Sequence, residues 1–358
     1  MVALQALGWD DAFAEQFTPY EADGLIPGRV AVQHRGAWDI LTALGSLRCD
    51  AAGRLYDDAS SPAELPAVGD WVAVAARPDE HAGTVQGVLP RRTRFSRKTA
   101  WQAAEEQVLA ANVDVVFLVS SLNEDLNLRR IERYLTLAWE SGAQPVVVLT
   151  KADLADDVEG ATATLATVAM GVPVHVISSR TGDGLDVVRE YLRPGVTAAL
   201  LGSSGVGKST LVNVLAGEDL LEVREIRQDG KGRHTTVRRE LVQLPGGGLL
   251  IDTPGMRELQ LWEADDGIDE AFEDVTSVSG QCRFSDCAHD TEPGCAVKEA
   301  LADGRLAPER WESYLKLQRE LAHLDRRLDH RAQAEEKRRW RAVTLQAREN
   351  MRAKGRRD

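Results

Sequence analysis

Apolar positions along the chain fall into distinct patterns, and each predicts a different kind of element. Between residues 25 and 98 they are short and alternate with polar residues. Arg29-Val30-Ala31-Val32 and Trp38-Asp39-Ile40 have the period of a strand, Val68 to Val74 reads as a turn into another, and Gly83 to Leu89 as the strand that closes the set. Several short strands with turn signals predict a small barrel, and the pattern alone fits an OB-fold and an SH3-like barrel equally. Further along, Gln144 to Leu149 reads as a buried parallel strand and Val174 to Ser179 as another, while Ala198 to Leu201 and Leu249 to Ile251 are unbroken apolar runs. Leu317, Leu321, Leu324 and Leu328 recur at spacings of four, three and four, which predicts an amphipathic helix packed on a neighbouring domain. A chain of 358 residues exceeds the usual size of a single core, so several domains are expected.

Gly202-Ser203-Ser204-Gly205-Val206-Gly207-Lys208-Ser209 lies between the run ending at Leu201 and a helical pattern at Leu211, Val212, Val214 and Leu215. It matches the phosphate-loop pattern G-x-x-x-x-G-K-S at every fixed position, in the strand–loop–helix setting that the pattern needs. Glycines let backbone N–H groups turn onto phosphate oxygens, the helix start adds partial positive charge, and Lys208 supplies a point charge. Ser209 is the expected Mg2+ ligand, with Thr210 beside it in the loop's cradle.

Thr150-Lys151-Ala152-Asp153 follows the strand that ends at Leu149. A carboxylate at Asp153 can accept two hydrogen bonds from the N1–H and N2–H2 edge of guanine; adenine offers no such donor pair. That argues against an ATP-dependent small-molecule kinase built on the same phosphate loop. Lys151 can lay its aliphatic stem along the base, and backbone N–H groups at Ser178 and Ser179 are expected at guanine O6. T-K-x-D alone is a weak signal. Strand, motif, helix, strand and Ser-containing loop in this order describe a guanine pocket. In an ordinary GTPase the phosphate loop leads and the base motif trails; here the order is reversed, as in a circularly permuted GTP-binding domain.

Asp252-Thr253-Pro254-Gly255 follows the apolar run Leu249 to Ile251. Asp252 is expected to hold Mg2+ through water, and the Gly255 N–H to meet the γ-phosphate. Gly230 to Thr236 is polar and Gly-rich, and either Thr235 or Thr236 is the expected Mg2+ and γ-phosphate sensor of a switch loop. Met256 stands where many GTPases carry a Gln that orients the attacking water. A thioether cannot do this, so slow unaided turnover is expected. His234 is the candidate to align water, with contact to phosphate or a partner an equal alternative.

Three of the four cysteines fall in one short stretch, where Cys282, Cys287, His289 and Cys295 stand in C-x4-C-x-H-x5-C spacing. Three thiolates and an imidazole complete a closed tetrahedral Zn2+ shell, which marks a structural ion that folds a small, loop-rich segment. Disulfides are the competing reading, disfavoured in a cytosolic protein. Cys49 stands alone in a strand-like region as a buried core thiol.

Together these features resemble the ribosome small-subunit-dependent GTPases (RsgA, also called YjeQ). The resemblance rests on the permuted order, on TKAD at Thr150 to Asp153, GSSGVGKST at Gly202 to Thr210, GRHTT at Gly232 to Thr236, DTPG at Asp252, and the Cys-Cys-His-Cys cluster. It covers roughly residues 25 to 325. It implies a multidomain α/β protein: an N-terminal extension (1–24), an OB-fold RNA-binding β-barrel (25–98), a circularly permuted P-loop GTPase domain (99–262), a zinc-binding helical domain (263–325) and a basic tail (326–358). It further implies GTP hydrolysis to GDP, stimulated by the small ribosomal subunit during its late maturation. The family also carries a hydrophobic residue at the position of Met256, and the His matching His234 is a suggested catalytic residue there. An RNA-binding scaffold with a merely structural nucleotide site is the rival expectation.

Charge is distributed unevenly. The whole chain carries −13, yet residues 326 to 358 hold twelve Lys/Arg against five Asp/Glu, a net +7 on a body of −20. A basic arm on an acidic body is suited to steering onto rRNA phosphate. Arg91 to Lys98 adds five basic residues and Phe95 without an acid, a candidate RNA contact that combines charge with stacking. The N-terminal segment lacks the basic region of a signal peptide, and no apolar run spans a bilayer. A cytoplasmic monomer without a membrane partner is expected.

Overall fold

The computed structural model describes residues 3–98, 106–122, 126–217, 239–252 and 265–322. A 3-10 turn at Leu4–Leu7 leads into α1 (Asp11–Glu21), whose first turn is capped by Asp10 accepting from the Phe13 N–H at 3.1 Å. Phe13 and Phe17, one turn apart, are both buried. With Trp9 they pack on Trp71, the Trp9 and Trp71 rings meeting edge to face at 4.7 Å. Leu7, Phe13 and Phe17 therefore join the core.

Five strands form the barrel: β1 (Ile26–Gln33), β2 (Trp38–Thr42), β3 (Gly45–Ala51), β4 (Trp71–Arg77) and β5 (Ala82–Val88), with α2 (Gly53–Asp58) between the third and fourth. β5 closes the set, as the alternation predicted: it lies between β3 and β4, and β4 in turn pairs with β1, Ile26 to Val74 through Arg29 to Trp71. This closed five-stranded order decides for the OB-like arrangement. Alternate residues Val30, Ile40, Leu47, Cys49, Val72, Val74 and Val85 fill its interior.

β6 (Arg94–Lys98) pairs with β7 (Glu106–Ala111), and this pairing takes the stacking ring out of the expected RNA contact. Phe95 is only 2 % exposed and cannot stack on a base. Arg91 makes a two-pronged bond to the fully buried Asp70 at 2.7 and 2.8 Å, and Arg92 pairs with Asp10 while covering the Phe13 ring at 3.9 Å. Burial works against the Arg91 charge, but its bonds to Asp70 win and raise its pKa above the usual arginine value. Nearby, buried Arg29 of β1 donates to the carbonyls of Leu7, Gly69 and Asn112 and to Thr197 Oγ1 at 3.0 Å.

A mostly parallel sheet follows: β8 (Val115–Ser121), α3 (Leu128–Ser141), β9 (Gln144–Thr150), α4 (Val158–Ala166), β10 (Val174–Val176), α5 (Leu185–Glu190), β11 (Thr197–Leu201), α6 (Lys208–Ala216), β12 (Glu240–Gln243) and β13 (Leu249–Asp252). The strand order is β10-β9-β8-β11-β13-β12, and β12 alone runs antiparallel, meeting β1 of the barrel at Val32 and Glu240. Successive residues face opposite layers. Val116, Leu118, Val147 and Leu149 pack with Ile131 and Leu135 of α3, whereas Phe117, Val119, Val146 and Val148 pack with Val188 of α5 and Leu211 of α6.

The C-terminal region is helical: α7 (Asp265–Ala271), α8 (Glu273–Ser279), α9 (Ala296–Asp303) and α10 (308–322). α7 crosses α3 closely, since a Cβ on Gly267 would stand 2.5 Å from the Thr136 carbonyl oxygen. Leu317 and Leu321 are buried on α10 as their spacing predicts, while Leu324 and Leu328 lie outside the described residues.

Arg91 is thus structural. Changing Arg91→Met strips the guanidinium from a carboxylate that stays buried, and the expected loss is about 3–5 kcal/mol. Chemical denaturation monitored by tryptophan fluorescence measures it; a loss within experimental error would return Arg91 to the surface role.

Candidate active site

β11 delivers the phosphate loop. Its five residues are buried, and after Leu201 the chain turns at Gly202, where a Cβ would stand 2.3 Å from the Val119 carbonyl oxygen. Only glycine passes so close to β8. The loop then reaches α6, which begins at Lys208 with Ser209 and Thr210 in its first turn. Lys208 Nζ donates to the Gly202 carbonyl at 2.6 Å and to that of Ser203, so its ammonium lies folded over the loop. Ser204 and Gly205 are exposed at the rim, and Val206 is buried beneath it. The half-buried Ser209 hydroxyl beside Lys208 is a hard oxygen donor of the kind Mg2+ takes.

The base motif comes from the neighbouring strands and touches this loop directly. Thr150 ends β9, is almost fully buried, and its Oγ1 donates to the Val206 carbonyl at 2.5 Å. Lys151 takes a left-handed backbone at φ 60°, which turns the chain into a 3-10 turn at Ala152–Leu154. Asp153 is carried on that turn, its side chain 16 % exposed. Ser178 Oγ donates to Asp153 Oδ1 at 2.7 Å. Motifs more than fifty residues apart in the sequence are therefore adjacent in the fold.

Ser178 departs from its expected role. Its backbone N–H donates to the Asp183 carbonyl at 2.9 Å, and its hydroxyl holds the Asp153 carboxylate. Ser179 Oγ is buried without a partner among the described residues. Sequence reading missed Arg180. Its guanidinium lies 3.8 Å from Asp153 Oδ2 and is 81 % exposed, a cation beside that carboxylate. The signal was available: it follows Ser178-Ser179 directly.

Asp252 closes β13, paired with Glu240 across the sheet, which puts its backbone two strands from β8. Its side chain, and His234, Thr235, Thr236, Gly255 and Met256, lie outside the described residues.

The metal cluster assembles as its spacing predicts. Ligand atoms of Cys282, Cys287, His289 and Cys295 all lie within 4.8 Å of one another, with the Cys282 and Cys295 sulfurs 3.6 and 3.5 Å from His289 Nδ1. That donor set fits a tetrahedral zinc shell. Burial opposes ionisation of Cys282, but backbone N–H groups of Val297 and Ala296 at the start of α9 outweigh it and lower the thiol pKa. Trp311 of α10 sets its ring at 86° to His289, centroids 5.4 Å apart, fixing the imidazole from outside. Cys49 is buried inside the barrel, as expected.

The Asp153 geometry sets a test of base choice. In Asp153→Asn the amide offers one acceptor and one donor where guanine needs two acceptors. Guanine nucleotide affinity should fall by about 3–6 kcal/mol, roughly 10²–10⁴-fold, while xanthine nucleotide, with a carbonyl at C2, gains. Fluorescent-nucleotide titration reads both, and equal loss of both bases would move Asp153 out of the pocket.

Comparison with known proteins agrees with this geometry. Residues 88–262 match the RsgA GTPase family model. The chain is 48 % identical to the small ribosomal subunit biogenesis GTPase RsgA of Opitutus terrae over 99 % of its own length and all of that protein's. It is 50 % identical to the RsgA of Streptomyces coelicolor, covering 93 % of this chain and 90 % of that one. Among solved structures, YjeQ from Thermotoga maritima superposes with a TM-score of 0.64 at 29 % identity, over 83 % of this chain and 99 % of that one. YloQ, a circularly permuted GTPase, superposes with a TM-score of 0.62 at 26 % identity, over 84 % of this chain and 96 % of that one. With the permuted strand order, the phosphate loop against the base motif and the Cys3His cluster, these likenesses place the chain in the RsgA family of GTPases.

Proposed function

We propose that this GTPase binds the small ribosomal subunit and its rRNA late in maturation, and that subunit-stimulated hydrolysis of GTP to GDP triggers its release. The Thr150–Val206 contact carries the reading, because it joins a base-recognition turn to a phosphate cradle in one site. Thr150, Lys151, Asp153, Ser178 and Ser179 serve the guanine end. Gly202 to Thr210 serve the phosphates, with Lys208 placed to trade its loop carbonyls for phosphate oxygens. Ser209 and Asp252 would hold Mg2+, which supplies charge neutralisation at the phosphates. Thr235 or Thr236 senses the γ-phosphate, Gly255 meets it, and His234 aligns water where Met256 cannot. Zn2+ at Cys282, Cys287, His289 and Cys295 is structural. The protein acts as a cytoplasmic monomer, with the basic tail steering it onto rRNA; among the described residues no helix is long and apolar enough to cross a membrane.

Turnover measured with and without purified small subunits tests the reading. Slow basal hydrolysis and marked stimulation are expected, and Lys208→Ala should lower the stimulated rate by about 10²-fold or more. Equal rates with and without subunits would favour a scaffold with a structural nucleotide site. Chelation tests the metal: removing zinc should unfold residues 265–322, seen as lost helical circular dichroism and altered Trp311 emission, while nucleotide still binds. Unchanged helicity after verified zinc loss would exclude a structural ion.

A further inference from the structure

One helix touches both the phosphate loop and the C-terminal region, and it does so from the same two turns. Asn127 caps α3 by accepting from the Arg130 N–H at 3.1 Å, which fixes Arg130 in the first turn. Its side chain leaves the helix toward the loop, where Arg130 Nη1 donates to Ser203 Oγ at 2.7 Å. Ser203 is also one of the two residues whose carbonyls hold the Lys208 ammonium. Phosphate oxygens compete for that ammonium, so Gly202 and Ser203 are where occupancy of the cradle changes the loop's own bonding. Arg130 is bonded to that spot.

Neighbouring positions on α3 face the other way. Arg129 meets Glu312 at 3.3 Å, Glu132 meets Arg310 at 2.8 Å, and Arg133 meets Glu320 at 3.0 Å, all three partners lying on α10. These pairs are not equal. The first and last are substantially solvent-exposed and contribute little. The Glu132 and Arg310 side chains are only 2 and 5 % exposed, and Arg310 also bonds Asp274 at 2.8 and 3.0 Å, donates to the Ala271 carbonyl, and stacks over Phe272 at 4.0 Å. A buried pair of this kind cannot slip without stranding a charge, so movement of α3 must carry α10 with it.

We infer that Arg130 is a positioning residue of the phosphate loop, and that α3 relays the state of that loop to α10 through the Glu132–Arg310 pair. The inference rests on nucleotide binding at the phosphate loop and needs nothing from the ribosomal subunit. It supplies a route of side-chain contacts from nucleotide to C-terminal region.

Hydrogen–deuterium exchange of the full-length protein, with and without GDP, tests it. In the native protein GDP should change amide exchange across 308–322. Arg130→Met removes the contact from the helix side and leaves every residue of the phosphate loop in place. It should still bind GDP by fluorescence titration and retain zinc, yet lose half or more of the GDP-induced change. Arg130→Lys, which keeps a donor, should recover part. An undiminished change in Arg130→Met, or no response of 308–322 in the native protein, would overturn the relay. Loss of GDP binding in Arg130→Met would overturn it too, since a contact outside the cradle is dispensable for binding. Subunits are absent from this assay, so its failure is separate from any failure of the release reading.

Discussion

The nucleotide site depends on where one five-residue strand enters the sheet. β11 inserts between β8 and β13, with Leu201 beside Leu118 and Ala199 beside both Val116 and Ile251. That register sets the phosphate loop at the ends of β8 and β9, where Thr150 reaches the Val206 carbonyl. In a permuted chain no covalent connection enforces this meeting. Ladder hydrogen bonds and burial on both faces enforce it, and every residue of β11 is buried. A slip of one residue would turn Ala199 and Leu201 into the layer of α5 and α6 and drag the loop away from the base turn. The catalytic geometry is thus a consequence of sheet register, which is why the order of motifs along the chain could change while the site did not.

The same strand is held at its other end by the barrel. Arg29 lies in β1, and Thr197, the first residue of β11, is one of its acceptors. Burial lowers the Arg29 pKa to about 10, which still leaves it charged at neutral pH. Its direct partners are neutral oxygens from four separate segments, with Asp114 and Asp70 supporting the charge at longer range. A lone buried cation satisfied this way is costly to disturb, because withdrawing it strands several acceptors together. The barrel and the GTPase sheet therefore share one network, reinforced where β1 meets β12. The segment before the barrel is drawn in as well, through the Leu7 carbonyl and the aromatic packing on Trp71.

Much of this was legible in the sequence, for a physical reason. Strands buried on both faces need unbroken apolar runs, a phosphate cradle needs glycine at fixed places, and a closed zinc shell needs its ligands at short spacing. Such demands are local, so local patterns reveal them. What escaped was set by distant partners. The run from Arg91 to Lys98 looks like an RNA surface because its neutralising acids are elsewhere: Asp70 lies 21 residues back and Asp10 lies 82 back. Phe95 reads as a stacking ring until the β6–β7 pairing turns it inward. The pairing of β1 with β4 escaped because strand order is a property of the whole sheet. Ser178 was assigned a backbone role that its own turn had already consumed, and the Glu132–Arg310 pair joins residues 178 apart.

This division between local and distant determinants bears on how nucleotide state reaches the C-terminal region. α3 connects the phosphate loop to that region through side-chain contacts. It is a four-turn helix with Ile131, Leu135 and Ala138 fixed in the core, bonded to the phosphate loop at its start and to α10 by a buried ion pair. Packed elements shift between discrete arrangements and do not deform smoothly. Buried ion pairs add little to stability but specify a unique partner geometry. α10 also presents Trp311 to His289, so the helix that receives the buried pair is the one that braces the metal cluster. Phosphate loop, α3, α10 and metal ligands thus form one unbroken chain of contacts, in which each link is a named hydrogen bond, ion pair or ring.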